Sequence, residues 1–104
     1  MTATERRYEL NSILEEILGS SNVYYQPPEN LKLRYPCIIY DWDGQDDKFA
    51  NNGNYNSIRR YSIMVVEKEP DSDIPDKIAQ LPLCSFNRRY VNDNLYHTVY
   101  SIYI

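Results

Sequence analysis

Glycine is scarce in this chain. Three glycines in 104 residues leave no Gly-rich loop of the kind that wraps a phosphate in main-chain N–H groups. Cysteine is nearly absent as well: Cys37 and Cys84 stand far apart, without the C-x-x-C spacing of a zinc site or redox motif. With no secretory leader legible, both are expected as reduced thiols in a cytoplasm, not as a disulfide. The single histidine, His97, has no Ser or Cys at a recognisable spacing and is expected to pack and hydrogen-bond beside tyrosines. No apolar run approaches the ~18 residues of a membrane span. Positive charge is also short: 11 basic against 15 acidic residues give a formal charge of −4, which argues against a general binder of phosphate backbones. Arg6-Arg7, Arg59-Arg60 and Arg88-Arg89 are the basic doublets. In a strand the two members of a doublet point to opposite faces, so none is a patch by itself.

Tyrosine is abundant, at eleven residues. Its apolar body and polar tip suit half-buried positions and protein interfaces, although a β-rich domain collects tyrosines in any case. The length is that of one domain, 1–104, with a modest core. Its centre is Ile58–Glu67, β-branched and aromatic with neither Gly nor Pro. Ile63 and Val65 would face one way, Met64 and Val66 the other. An apolar centre on both faces predicts an inner strand with something packed on each side, and Arg59 and Arg60 at one end and Glu67, Lys68 and Glu69 at the other mark where it reaches solvent.

Before it, Leu10, Ile13, Leu14, Ile17 and Leu18 form one apolar stripe that predicts a helix over Ala3–Leu18. Thr2 and Glu5 fit a capping box, and Gly19 fits the left-handed stop. Val23–Tyr25 is a short extended piece, and Gln26–Asn30, with Pro27-Pro28, is an edge or a loop. Pro36–Trp42 is a strand. Gly44–Asn56 is too polar for core and is expected as a long loop. Ile74–Leu81 predicts a short helix capped by Asp73 or Ser72 and closed by Pro82. Leu83–Val91 and Leu95–Ile104 form a hairpin across Asn92-Asp93-Asn94, with Cys84, Phe86 and Tyr90 on one side of the first strand. The expected fold is α+β: an N-terminal helix and one short second helix packed on a mainly antiparallel sheet of four to five strands, connected most simply as a meander.

Asp41-Trp42-Asp43-Gly44-Gln45-Asp46-Asp47 is the one acidic cluster. Counted from Asp41, it puts Gln45 at position 5, Asp46 at 6 and Asn52 at 12, and so fails the EF-hand pattern. A solvated junction of strand and loop is expected there. No catalytic residue, metal ligand or cofactor is assigned.

Several stretches together resemble a small protein of tailed bacteriophages and prophage-derived particles of Gram-positive hosts. They are Leu10–Gly19, Val23–Pro28, Leu33–Tyr40, Phe49–Asn52, Arg60–Ile63, Pro70–Pro75 and Asn94–His97. The likeness is to the tail terminator, or tail completion, class. It implies a small α+β structural protein, without enzyme activity, that forms a homo-oligomeric ring, usually a hexamer. Such a ring caps the tail tube protein and offers a surface to the head–tail connector and neck proteins. It implies assembly in the host cytoplasm, a place in the virion tail or neck, and no membrane or sequence-specific nucleic-acid partner. A head-closure or neck connector subunit is the neighbouring alternative, and a small ligand- or nucleic-acid-binding module the alternative of another class. For a ring subunit the expected interface residues are Phe49, Asn51, Asn52 and Tyr55 in the polar loop, with Arg59 and Arg60 beside it. Phe49 is expected to contact another chain, local tucking being the rival.

Overall fold

A computed structural model of the chain describes residues 2–50 and 53–104, and at 48–50 and 53–56 the backbone alone. The fold is α+β. Helix α1 (Ala3–Leu18) leads into β1 (Val23–Tyr25), β2 (Cys37–Ala50) and β3 (Gly53–Glu67). Helix α2 (Ile74–Ala79) then precedes β4 (Cys84–Asn92) and β5 (Leu95–Tyr103). The five strands form one sheet in the order β1-β2-β3-β5-β4.

Helix α1 begins and ends where its residues require. The Thr2 side chain accepts from the Glu5 N–H, the Glu5 carboxylate accepts from the Thr2 N–H, and Gly19 turns left-handed at φ 79°. Its stripe is not buried evenly. Leu10 and Leu14 are fully buried, Ile17 and Leu18 pack at the margin of the core, and Ile13 is exposed. The core joins Leu10, Leu14 and Ile78 of the helices to Ile38, Tyr40, Tyr61, Ile63, Val65, Tyr100 and Ile102 of β2, β3 and β5.

Strand β3 is the inner strand the sequence predicts, paired antiparallel with β2 on one side and β5 on the other. Two expectations about its surroundings need correction. Helices cover the Ile63 face, whereas on the Met64 face the sheet's own side chains lie across the apolar row. Val99 sits between Met64 and Arg88 in the ladder, the Tyr90 hydroxyl reaches Met64 Sδ at 3.5 Å, and the Tyr90 ring stacks on His97 at 4.7 Å. At the strand's end Lys68 and Glu69 are exposed, but Glu67 does not reach solvent: it is 2% exposed and accepts a hydrogen bond from the Ser72 hydroxyl. The turn after β3 folds that hydroxyl back onto the strand end, which supplies the partner a buried carboxylate needs.

The connectivity is not a meander. β1 runs parallel to β2, so residues 26–36, including Pro27-Pro28 and a cis Tyr35–Pro36 peptide, carry the chain back before β2 begins. β3 and β4 are both antiparallel to β5 and hence parallel to each other, joined by α2 with β5 inserted between them. The β4–β5 hairpin closes as predicted, with Asp93 and Asn94 both at positive φ (52° and 61°), the conformation of a two-residue turn that matches strand twist. Its first strand departs from simple alternation. A bulge between Phe86 and Arg88 moves Tyr90 to the face opposite Phe86, so Cys84, Phe86 and Tyr90 do not share a side.

Cys37 and Cys84 are free thiols. Burial pushes the Cys37 thiol up from its ordinary 9.0 to about 11 and raises Cys84 as well. Among the described residues no helix is long and apolar enough to cross a membrane.

Two outcomes follow from this packing. Leu14→Ala should destabilise the fold by about 2–5 kcal/mol, because the methyl groups it removes are wholly enclosed; denaturant titration measures this, and a loss below about 1 kcal/mol would place Leu14 at a yielding surface. The folded-state value of Cys37 lies above its unfolded one. The stability linked to its neutral thiol is therefore fully present below about pH 9 and lost as pH rises towards about 11. Alkylation of the native protein near about pH 8 should accordingly modify Cys84 well before Cys37.

Candidate functional site

Gly44–Asn56 is not a loop. β2 and β3 keep pairing beyond the sheet, through Gly44↔Arg60, Gln45↔Arg59, Asp46↔Ile58 and Asp47↔Ser57 to Ala50↔Gly53. Polarity misled the expectation: a ribbon in water on both faces needs no apolar alternation, and its ladder satisfies the backbone regardless of side chain. β1 reaches only Tyr40 and β5 only Arg60. Among the described residues, the outer parts of β2 and β3 therefore pair only with each other. They form a two-stranded arm, and the chain measures 51 Å along its longest axis against 24 and 23 Å across.

The base of the arm is built by a bulge. Asp43 is the extra residue between Trp42↔Tyr61 and Gly44↔Arg60, and it turns its carboxylate back along the ribbon. Arg60 Nε donates to Asp43 Oδ1 at 3.0 Å and Arg60 Nη2 donates to the Asp43 carbonyl at 3.2 Å. The guanidinium thereby lies over Gly44, where a Cβ would meet Arg60 Nη2 at 2.6 Å. Glycine is required here for close approach, not for a special backbone angle. On the helix-bearing face the Arg59 guanidinium stacks 3.7 Å from the Trp42 ring centroid, and the indole N–H donates to the Gly44 carbonyl at 2.9 Å. This flat cation–aromatic pair is half in water. Further out, Asp47 accepts from Ser57 Oγ at 2.6 Å and from Gln45 Nε2 at 2.9 Å, a polar rung across the two strands. Asp46 is exposed on the outer strand. Partial burial, with the negative charge of Asp43 second, pushes the Asp41 carboxyl above its usual range.

The interface candidates divide between the two ends of this arm. Arg59 and Arg60 meet at the base, one on Trp42 and one on Asp43. Phe49 and Tyr55 belong to the far, paired part of the strands; Tyr55 is the extra residue of a second irregularity between Lys48↔Asn56 and Phe49↔Asn54. Asn51 and Asn52 lie outside the described residues, as do the side chains of Phe49 and Tyr55. Sequence reasoning missed Trp42 and Gly44. Part of the signal was present: once residues 44–57 are taken as strands, the antiparallel count brings Arg59 to the face of Trp42, whereas Arg60 reaches Gly44 only through the Asp43 bulge, which the count does not show.

What the arm offers a partner is two long edges of main-chain N–H and C=O groups, one platform of ring and guanidinium, and a run of carboxylates. The carboxylates do not converge. Among the described residues no group of three His, Cys, Asp or Glu side chains is placed to hold a metal ion. Gly44→Ala should displace the Arg60 guanidinium from Asp43 at little cost in stability, since a side-chain tip, not backbone, must give way. The Arg60 Nε–H signal should then exchange faster with water while the melting temperature falls far less than in Leu14→Ala; unchanged exchange would mean that the close approach is absent in solution. No protein-family model matches the chain, and no curated protein sequence matches it.

Proposed function

We propose that the chain is a structural subunit of the neck of a tailed bacteriophage or prophage-derived particle: a tail terminator that assembles as a ring, caps the tail tube and receives the head connector. The reading rests on the resemblance described above, which spans nearly the whole chain. In the structure, the observation that carries it is the arm. An isolated two-stranded ribbon is marginal in water, and seven residues of strand reach roughly 23 Å from the sheet at ~3.3 Å each. A ribbon of that length, with both edges unpaired, suits a protein whose work is to touch other chains. The reading involves no catalytic chemistry, and no membrane or sequence-specific nucleic-acid partner.

The test compares the full chain with one in which residues 45–57 are replaced by a two-residue turn. Light scattering on a sizing column should give the full chain at about six times its 12.4 kDa mass, closed rings should be visible by electron microscopy, and the shortened chain should fold but lose the ring. A full chain that stays monomeric and binds single-stranded nucleic acid would replace this reading with that of a binding module. Rings of unchanged size from the shortened chain would remove the arm from the argument.

A further inference from the structure

An open sheet ends in two edges, and native proteins blunt them with short strands, proline, charge or bulges. The β1 edge is blunted: it is three residues long and runs into Pro27-Pro28. The β4 edge is not. It is nine residues long, exposed along almost its whole length, and carries Phe86 and Val91 at 62% and 61% exposure, with Leu83 at 67% just before it. Its charge is of one sign. Cys84–Asn92 contains Arg88 and Arg89 and no acidic residue. Arg89 is used within the fold, donating to Thr98 Oγ1 at 2.7 Å and to the Pro70 carbonyl at 2.8 Å. Arg88 is exposed and lies 5.2 Å from the Tyr90 ring centroid.

The arm has two further unpaired edges among the described residues: the outer side of β3, with no charged residue over 53–58, and the outer side of β2, beyond the reach of β1. The β2 edge has the opposite charge: Asp41, Asp43, Asp46 and Asp47 precede the first cation, Lys48. Asp43 is answered by Arg60 and Asp47 is held by Ser57, while Asp46 is exposed. In the strand order β1-β2-β3-β5-β4 the outer side of β2 and the outer side of β4 face in opposite directions. One copy cannot close these edges on itself, and two copies joined through them leave one edge of each kind free. Contacts of that geometry run head to tail and close into a ring when the rotation per copy permits.

We propose that β4 of one copy adds as a strand to the acidic β2 edge of the arm of a second copy, through main-chain hydrogen bonds with Arg88 opposite the Asp46 region. The pairing supplies a surface for the ring assembly proposed above and rests on that reading for its setting. About six residues of β2 beyond the bulge are available, enough for about as many main-chain bonds. Joining the edges also shields the apolar groups that β4 exposes.

The test is a charge exchange read by self-association, with backbone hydrogen exchange alongside. Arg88→Glu should raise the dissociation constant of the assembly by about tenfold or more, since it sets like charges face to face. Asp46→Arg should do the same, and the double variant should recover most of the loss. Both positions are exposed, so melting curves of the monomers should overlay that of the parent. In the parent, the β4 amides that point away from β5 should exchange freely when dilute and become protected on assembly. Rings whose outward β4 amides stay unprotected, or that ignore Arg88→Glu, overturn the pairing and leave the ring reading standing. Weakening by Arg88→Glu without rescue by Asp46→Arg gives the β4 edge another occupant, either β4 of a second copy or a different protein, and also overturns the pairing. A parent chain that is monomeric at every concentration overturns the ring and the pairing together.

Discussion

The ladder between β2 and β3 is the constraint on which the rest of the molecule hangs. It runs without a break in the chain from Cys37↔Val66 to Ala50↔Gly53, yet its two halves are held by different physics. In the inner half, Ile38, Tyr40, Tyr61, Ile63 and Val65 lie under Leu10, Leu14 and Ile78, and burial of apolar area sets the register, because a slip of one residue would turn that row to water. In the outer half there is no core to set anything. Register there is inherited from the inner half and trimmed by local devices: the Asp43 bulge, the Arg60–Asp43 pair and the Asp47–Ser57 rung.

That division explains what the sequence makes legible. Helix α1, its capping box and its glycine stop are written in residue types whose local geometry dictates the outcome. The Asp93-Asn94 turn is another such case. The inner strand at Ile63 and the α+β class follow from period-two and period-3.6 patterns that burial enforces. The arm carries no such pattern: Gln45, Asp46 and Asp47 are all exposed, so burial enforces no alternation among them, and its polarity looks the same as that of a loop. The bulge after Phe86 is invisible for a related reason: alternation counts residues, and one extra residue reverses the count without altering composition. Glu67 was misplaced because a strand end was equated with solvent, whereas the turn through Ser72 folds back over it.

The tyrosines have several kinds of role in the fold. Tyr40 and Tyr61 are fully buried, packed edge to face with ring centroids 6.1 Å apart. The Tyr40 hydroxyl donates to Asn11 Oδ1 at 2.7 Å and accepts from Arg7 Nη1 at 3.3 Å. Burial raises the Tyr40 phenol despite the opposing pull of Arg7. Tyr25 carries the Arg7 guanidinium on its other side, 4.2 Å from the ring centroid. This cluster ties the polar face of α1 to the sheet at the end from which the arm departs. Tyr90, by contrast, lies on the helix-free face against Met64 and His97.

The Asp43 bulge has a consequence for how such a chain can vary. An extra residue at the root of the arm shifts the residue count of β2 beyond it relative to the core, while β3 passes the same point without a skip. The parity that sends Tyr40 inward therefore does not dictate which arm residues share a face. Along β2 the core and the arm are read in two frames, and β3, which keeps one frame throughout this point, carries the register from the one to the other. Substitutions, and paired insertions beyond Gly44, can rewrite the surface the arm presents while every contact under α1 keeps its place. Loss of the single residue Asp43 would remove the bulge and the carboxylate that holds Arg60, while Gly44 would still follow Trp42 opposite Arg60 and the arm would keep its faces.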